Sequence, residues 1–282
     1  SNDTDILAVD RVSLAMKEGE VRGLVGESGS GKSLLAQAIM GVLDDKWTVS
    51  ADRFHWRGKD LMNLAPDERK AIIAKDVAMI FQEPMSSLDP TTTIGEQVEE
   101  AIDPSSLEGG FWQRRKARKA EAIILLHKVG IKHHEICTSS YPHELTEALC
   151  QRVMIAIALA KKPILLIADE PTAAMESRNQ GQIFRLLASL NQLKSMSILL
   201  ISHDLESITH WTNTITVMYS GQFVEAGTTE QIFNRPLHPY TQALLDKSKH
   251  QHLCIYIYIY IYIYIYIYIY KWVCVCVGIS GK

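Results

Sequence analysis

The sequence predicts an α/β fold built around a parallel sheet. Three short, largely apolar runs, VRGLV (Val21–Val25), ILLIA (Ile164–Ala168) and SILLIS (Ser197–Ser202), have the length and hydrophobicity of buried parallel strands. The first run leads through a glycine-rich loop into a helical pattern, and the third also precedes a helix, which is the order expected of strand–helix units. With 47% hydrophobic and 22% charged residues, the composition is typical of a globular chain.

The loop after the first run matches a pattern that binds phosphate. GESGSGKS is G-x-x-x-x-G-K-S, placed between the strand and the helix LLAQAIMGVL. Its glycines let the backbone curl so that N–H groups point at phosphate oxygens, and the following helix adds its N-terminal dipole. Lys32 supplies a positive charge near the β- and γ-phosphates, and the Ser33 hydroxyl is a predicted Mg²⁺ ligand. The predicted nucleotide-binding residues of this P-loop are Gly26, Glu27, Ser28, Gly29, Ser30, Gly31, Lys32 and Ser33.

Other apolar runs end in side chains suited to phosphate hydrolysis. Asp169 and Glu170 follow ILLIA at the carboxyl end of a strand, where open α/β sheets bind ligands. Asp169 is predicted to hold Mg²⁺ and nucleotide, and Glu170 to act as general base for the water that attacks the γ-phosphate. His203 follows SILLIS and is a predicted γ-phosphate contact. Gln82 follows a fourth run, VAMI, and is predicted to contact both the metal and the attacking water.

Together, and in their order along the chain (P-loop, Gln82, Asp169 with Glu170, His203), the four motifs resemble those of ABC ATPases over most of the chain, from about residue 6 to residue 245. The resemblance implies a P-loop NTPase with a RecA-like core, an antiparallel β portion and an inserted helical subdomain. It also implies that Gln82 links the nucleotide to a transmembrane partner and that His203 holds the γ-phosphate. The predicted divisions are residues 1–88 (first part of the core), 89–157 (helical subdomain), 158–250 (second part of the core) and 251–282 (tail).

Two further segments narrow the resemblance. FQEPMSSLDP (Phe81–Pro90) and HPYTQALL (His238–Leu245) are similar to the ATPases of dipeptide and oligopeptide importers. Within that group, VDRVSL with GEVRGLVGESGSGKS, ELTEALCQRVMIAIALA and DEPTAAMES together resemble the Sap-type peptide transporters. This implies hydrolysis of ATP, with Mg²⁺, coupled to peptide transport by a peripheral subunit on the cytoplasmic face of a bacterial inner membrane. The implied partners are two transmembrane permease subunits and, indirectly, a periplasmic peptide-binding protein. A net charge of −3 gives no electrostatic reason to expect nucleic acid.

The family's signature segment LSGGQ is replaced here by LTEAL (Leu145–Leu149). In the family, this segment of one subunit covers the γ-phosphate bound by its partner. Glu147 and Ala148 replace both glycines, and a carboxylate facing a tetra-anionic nucleotide is unfavourable. We therefore expect a heterodimer with a second ABC ATPase subunit whose signature is intact. The alternative is that Glu147 turns outward and the site still works. The aspartate that usually follows the Walker B motif is Glu176 here.

Several alternatives remain open from the sequence alone. The chain is either an active ATPase, a nucleotide-binding subunit of an asymmetric heterodimer with little hydrolysis of its own, or a truncated fragment without function. The segment Phe111–Ile131 is interpreted as a solvated helix of the helical subdomain, with contact to lipid headgroups as the alternative. His133, His134 and Cys137 are interpreted as loop residues and not as metal ligands. Ile-Tyr repeated eight times (Ile255–Tyr270), followed by VCVCV, is interpreted as a translated dinucleotide repeat, against a membrane helix or a strand.

Overall fold

The computed structural model describes residues 7–173, 175 and 177–247. The interpretation of the repetitive tail and of Glu176 therefore concerns residues outside the described part. The strands are β1 (Val21–Val25), β2 (His55–Trp56), β3 (Lys59–Asp60), β4 (Val77–Ile80), β5 (Leu165–Asp169), β6 (Ser197–Ser202), β7 (Thr214–Tyr219) and β8 (Gln222–Thr228). The helices are α1 (Lys32–Met40), α2 (Pro66–Asp76), α3 (Pro84–Ser87), α4 (Ile94–Glu100), α5 (Phe111–Lys128), α6 (His134–Ser139), α7 (Glu147–Ala160), α8 (Ser177–Lys194), α9 (Leu205–Thr209) and α10 (Thr229–Asn234). Residues 239–247 are also helical.

Six strands form one sheet in the order β4-β5-β6-β1-β7-β8. The first five are parallel to their neighbours, and β8 pairs antiparallel with β7. β2 and β3 form a separate antiparallel hairpin. The predicted α/β class, with a parallel core and an antiparallel portion, is confirmed. Because β5, β6 and β1 are adjacent, the loops that follow these three strands emerge side by side at one edge of the sheet.

Both faces of the central strands are buried, which explains why their sequences are almost continuously apolar. Leu166 and Leu200 belong to one hydrophobic cluster, whereas Ile167 and Ile201, one position further along, belong to the cluster on the other face. Strand side chains alternate between faces, so a strand covered on both sides needs apolar residues at every position. α7 and α8 contribute to the first cluster, and α1 and α2 to the second.

Helices α3 to α7 form a helical unit between β4 and β5. α5 packs on α4, α6 and α7, and α7 in turn packs on β4. α7 continues without interruption through the predicted division at residue 157, because its apolar side, including Met154, Ile155 and Leu159, is buried along its whole length. The predicted subdomain limits themselves stay a prediction. The interpretation of His134 and Cys137 as loop residues was wrong, since both lie in α6, where Cys137 is buried.

Long helices of the described residues do not qualify as membrane spans. α5 and α8 each have 18 residues, yet no helix of the described part is long and apolar enough to cross a bilayer. The predicted helix in the segment 111–131 is present as α5, and its first two side chains, Phe111 and Trp112, are 73% and 75% exposed.

Candidate functional site

The candidate site forms at the carboxyl edge of three neighbouring strands. Val25, the last residue of β1, pairs with Ser202 at the end of β6, and Asp169 at the end of β5 pairs with Ile201. The P-loop, the acidic pair and His203 therefore start from the same edge of the sheet. This is the place where parallel α/β sheets bind ligands.

The glycines of the P-loop serve two different purposes. A Cβ atom on Gly26 would lie 2.1 Å from the carbonyl oxygen of Met218, so only glycine allows this approach to β7. Gly29 and Gly31 instead have φ angles of 82° and 103°, in the left-handed region where glycine carries no steric penalty. The tip residues Glu27, Ser28 and Gly29 are exposed, as a loop that receives phosphate requires.

Lys32 is buried inside the curve of the loop. Its ammonium group donates hydrogen bonds to the carbonyl oxygens of Gly26 (2.7 Å) and Glu27 (2.8 Å) and to the Ser30 hydroxyl (3.2 Å). Burial lowers the pKa of Lys32, and this effect is opposed by the negative charges of Glu170 and Asp169. The ammonium group thus braces the loop and places a positive charge between the loop and the acidic pair.

Asp169 and Ser33 fit a divalent cation. The Asp169 side chain is 4% exposed, the Ser33 hydroxyl hydrogen bonds to its carboxylate, and burial raises the pKa of Asp169. Its Oδ1 atom is buried and has no hydrogen-bond partner among the described residues. An unpaired buried carboxylate oxygen is costly, and carboxylate and hydroxyl oxygens are ligands that Mg²⁺ prefers. The oxygen donors at this position are therefore suited to Mg²⁺.

Glu170 and His203 form a hydrogen-bonded pair. His203 Nδ1 lies 2.7 Å from Glu170 Oε2, with the carboxylate 10% and the imidazole 57% exposed. The backbone of Glu170 has a φ angle of 45°, and its N–H donates to the carbonyl oxygen of Ile201 at 3.0 Å. A non-glycine residue in this region costs about 1–2 kcal/mol, and such strain is concentrated at functional sites. The arrangement orients a carboxylate through a second titratable group, as a general base requires.

Gln82, the fourth predicted site residue, makes no hydrogen bond to the other site residues among the described contacts. It follows β4 by two residues, and Ile80 of β4 pairs with Ala168, so its segment leaves the sheet beside the acidic pair. The Gln82 side chain is exposed, and within residues 7–173, 175 and 177–247 no hydrogen bond connects it to the P-loop or to Asp169. Its predicted contacts with metal and water stay a prediction.

The altered signature segment begins a helix. Thr146 is the N-cap of α7, and its hydroxyl accepts a hydrogen bond from the Leu149 N–H at 3.4 Å. Glu147 is the first residue of the helix and is exposed. The segment therefore presents a helix N-terminus, which favours anions, with a carboxylate beside it, which disfavours them.

Sequence reasoning missed one residue at the P-loop. The hydroxyl oxygen of Tyr240, in the HPYTQALL segment, accepts a hydrogen bond from the backbone N–H of Glu27 at 2.9 Å. In the sequence, that segment indicated only the subfamily. No local pattern could have indicated the contact, because 213 positions of sequence separate the two residues.

Fold and site together define an ATP-binding cassette, with a P-loop, an acidic pair and a histidine at one edge of a mostly parallel sheet. The chain belongs to the ABC transporter family, whose profile matches residues 9–173. A second profile, the oligopeptide/dipeptide transporter C-terminal region, matches residues 224–249. The predicted membership in the peptide-importer group of ABC ATPases is confirmed.

Similar proteins support the same assignment. The chain is 53% identical to the peptide transport system ATP-binding protein SapD of Escherichia coli O6:H1 (strain CFT073), over 87% of this chain and 74% of that protein. It is 48% identical to the dipeptide transport ATP-binding protein DppD of Escherichia coli (strain K12), over 84% of this chain and 71% of the relative. Among solved structures, a dimeric post-hydrolysis state of the ATP-binding cassette MJ0796 bound to ADP and Pi matches with a TM-score of 0.69 and 25% identity, covering 81% of this chain and 94% of the other.

Proposed function

We propose that this chain binds and hydrolyses ATP to energise peptide transport across a bacterial inner membrane. The single observation that carries the proposal is the 2.7 Å contact between Glu170 and His203, at the sheet edge from which the P-loop also starts. A subunit that only binds nucleotide has no need for an oriented, strained general base. The pair therefore speaks against the reading of the chain as a subunit without hydrolysis.

Some of the site residues bind the nucleotide and metal, and others take part in proton transfer. Backbone N–H groups of the P-loop, other than those of Glu27 and Ser30 that already donate within the protein, and the start of α1 hold the phosphates, and Lys32 adds its charge. Ser33 and Asp169 would hold Mg²⁺, which when bound supplies positive charge that offsets the negative charge of the β- and γ-phosphate oxygens. Glu170 accepts the proton of the attacking water. His203 uses Nδ1 to orient Glu170, and Nε2 donates to a γ-phosphate oxygen when both ring nitrogens carry a proton.

The proposed assembly follows from the relatives and from the altered signature. Names such as peptide transport system ATP-binding protein support a complex in which two permease subunits form the pathway and a periplasmic binding protein delivers peptide. In this complex the chain lies on the cytoplasmic face of the membrane. Glu147 supports pairing with a second cassette whose signature keeps its glycines, and a matching solved structure is itself dimeric.

Glu170→Gln tests the catalytic assignment. The substitution keeps the size of the side chain and a hydrogen bond to His203 while removing the base. We expect ATP binding to persist and the turnover number, measured in a complex with a signature-intact cassette, to fall about 10²- to 10⁴-fold. Glu68→Gln on the exposed face of α2 is the matched control and should leave turnover unchanged. Normal turnover in the Glu170 variant would contradict the proposal.

A further inference from the structure

The segment that matches the peptide-transporter C-terminal profile reaches back to the P-loop. Tyr240 accepts the Glu27 N–H at 2.9 Å, and the Lys247 ammonium group lies 3.4 Å from the Glu27 carboxylate. Both Tyr240 and Lys247 belong to the helix formed by residues 239–247. The ion pair is exposed at both ends and so contributes little, whereas Tyr240 as a residue is half-buried.

The peptide group between Gly26 and Glu27 is held at both of its ends. Its carbonyl oxygen, on Gly26, accepts a hydrogen bond from the Lys32 ammonium group at 2.7 Å. Its N–H, on Glu27, donates to the Tyr240 hydroxyl. A peptide group is planar and rotates as one unit, so fixing the N–H also fixes the direction of the carbonyl. Tyr240 therefore sets the direction of an acceptor that positions Lys32.

The exposed tip of the loop has little packing of its own. A Cβ atom on Gly29 would meet nothing within 4 Å. On the far side of the tip, the Ser30 carbonyl accepts a hydrogen bond at 2.9 Å from the N–H of Gly221, in the turn between β7 and β8. The tip is thus anchored from outside on both sides, by Tyr240 before it and by Gly221 after it.

We propose that Tyr240 is a positioning residue for the nucleotide site. Its hydroxyl fixes the Gly26–Glu27 peptide group, and through that group the Lys32 ammonium that meets the terminal phosphates. The proposal rests on the proposed function, and it gives the C-terminal region of this chain a part in nucleotide binding. Burial raises the pKa of Tyr240, so that the hydroxyl stays protonated in the neutral pH range.

Tyr240→Phe tests the proposal because it keeps the ring and removes only the hydroxyl. We expect the Kd for MgATP, titrated on the full chain, to rise about three- to tenfold, the change that one hydrogen bond commonly makes. The KM for ATP should rise by a similar factor while kcat at saturating ATP is retained. Exchange of the Glu27 amide hydrogen should accelerate, since its acceptor is lost. The melting temperature without nucleotide should stay at the wild-type value.

Tyr219→Phe is the matched control. The ring centroids of Tyr219 and Tyr240 lie 4.4 Å apart, and the Tyr219 hydroxyl has no hydrogen bond to the P-loop among the described contacts. This variant should bind ATP as the wild type does. Unchanged Kd and unchanged Glu27 exchange in Tyr240→Phe would overturn the proposal, and so would a lower melting temperature accompanied by an equal loss of kcat, which indicates a purely structural role. A folded wild type that fails to bind MgATP would instead refute the proposed function.

Discussion

At the scale of single residues, the site holds two opposite charges where burial disfavours both. Burial lowers the pKa of Lys32 and raises the pKa of Asp169. Lys32 offsets part of this cost with its three hydrogen bonds to the loop, but one buried Asp169 oxygen has no hydrogen-bond partner among residues 7–173, 175 and 177–247. Groups of this kind gain their partners when ligand arrives, so binding of nucleotide and metal should stabilise the fold.

Asp169→Asn should make the protein more stable while removing its activity. Because the pKa of Asp169 is raised above its ordinary value of 3.8, stability is lost as the pH rises through the pKa of the folded state. An amide removes the buried charge and still offers an oxygen to Ser33. We expect the free energy of unfolding at neutral pH, without nucleotide or metal, to increase by about 1–2 kcal/mol.

Urea denaturation at a series of pH values measures this effect. The gain from Asp169→Asn should shrink as the pH falls below the pKa of the folded state, and it should disappear well below 3.8, where the wild-type carboxyl group is protonated in both states. Asp52→Asn, in an exposed loop, is the control and should show no comparable gain. A gain that is independent of pH would contradict the assignment to the buried charge.

At the scale of elements, the sequence predicted what local patterns encode. β5 and β6 were predictable because strands covered on both faces need apolar residues at every position, and the P-loop because its glycines meet a fixed backbone requirement. The short helix α6 was missed, since six residues carry too few turns for a helical period to show. Contacts between distant segments, such as that of Tyr240 with Glu27, could not be predicted from the local sequence around either residue.

The left-handed backbone conformation of Glu170 could not be predicted from the sequence either. A glutamate in a motif predicts a general base, but it does not predict that the residue adopts a φ angle of 45°. Nor did the motifs predict that His203 would contact Glu170 directly. Tertiary context imposes both features against local preference, which is common at functional sites.

The start of α7 offers a stability prediction for an element. Thr146 caps this helix through a hydrogen bond to the Leu149 N–H. Thr146→Ala should lower the free energy of unfolding by about 1 kcal/mol, the usual contribution of an N-cap. Thr146→Ser keeps a capping hydroxyl and should remain within a few tenths of a kcal/mol of the wild type. Chemical denaturation of the three proteins measures the difference, and equal losses in both variants would rule out capping as the cause.

At the scale of the whole molecule, the altered signature bears on the proposed pairing of this chain with a second ABC ATPase subunit. The start of α7 combines a helix N-terminus with the exposed Glu147 carboxylate. In a face-to-face dimer of ABC ATPases, this segment covers the γ-phosphate bound by the partner. Two copies of this chain would therefore place a carboxylate against each nucleotide, whereas a mixed dimer leaves one site covered by glycines.

The double substitution Glu147→Gly and Ala148→Gly should consequently raise the ATPase activity of the chain without a partner. Removing the carboxylate eliminates repulsion of the γ-phosphate, and glycine at both positions allows close backbone approach. We expect at least about a tenfold increase in turnover, as a few kcal/mol of relieved repulsion permits. With a signature-intact cassette present, the wild-type chain should already be active, and the same substitution should change turnover less.

Glu144→Gln, three residues before the signature glutamate and exposed, controls for loss of charge in this region. If the wild type alone hydrolyses ATP as fast as the glycine variant, Glu147 turns away from the nucleotide and the requirement for an unlike partner is refuted.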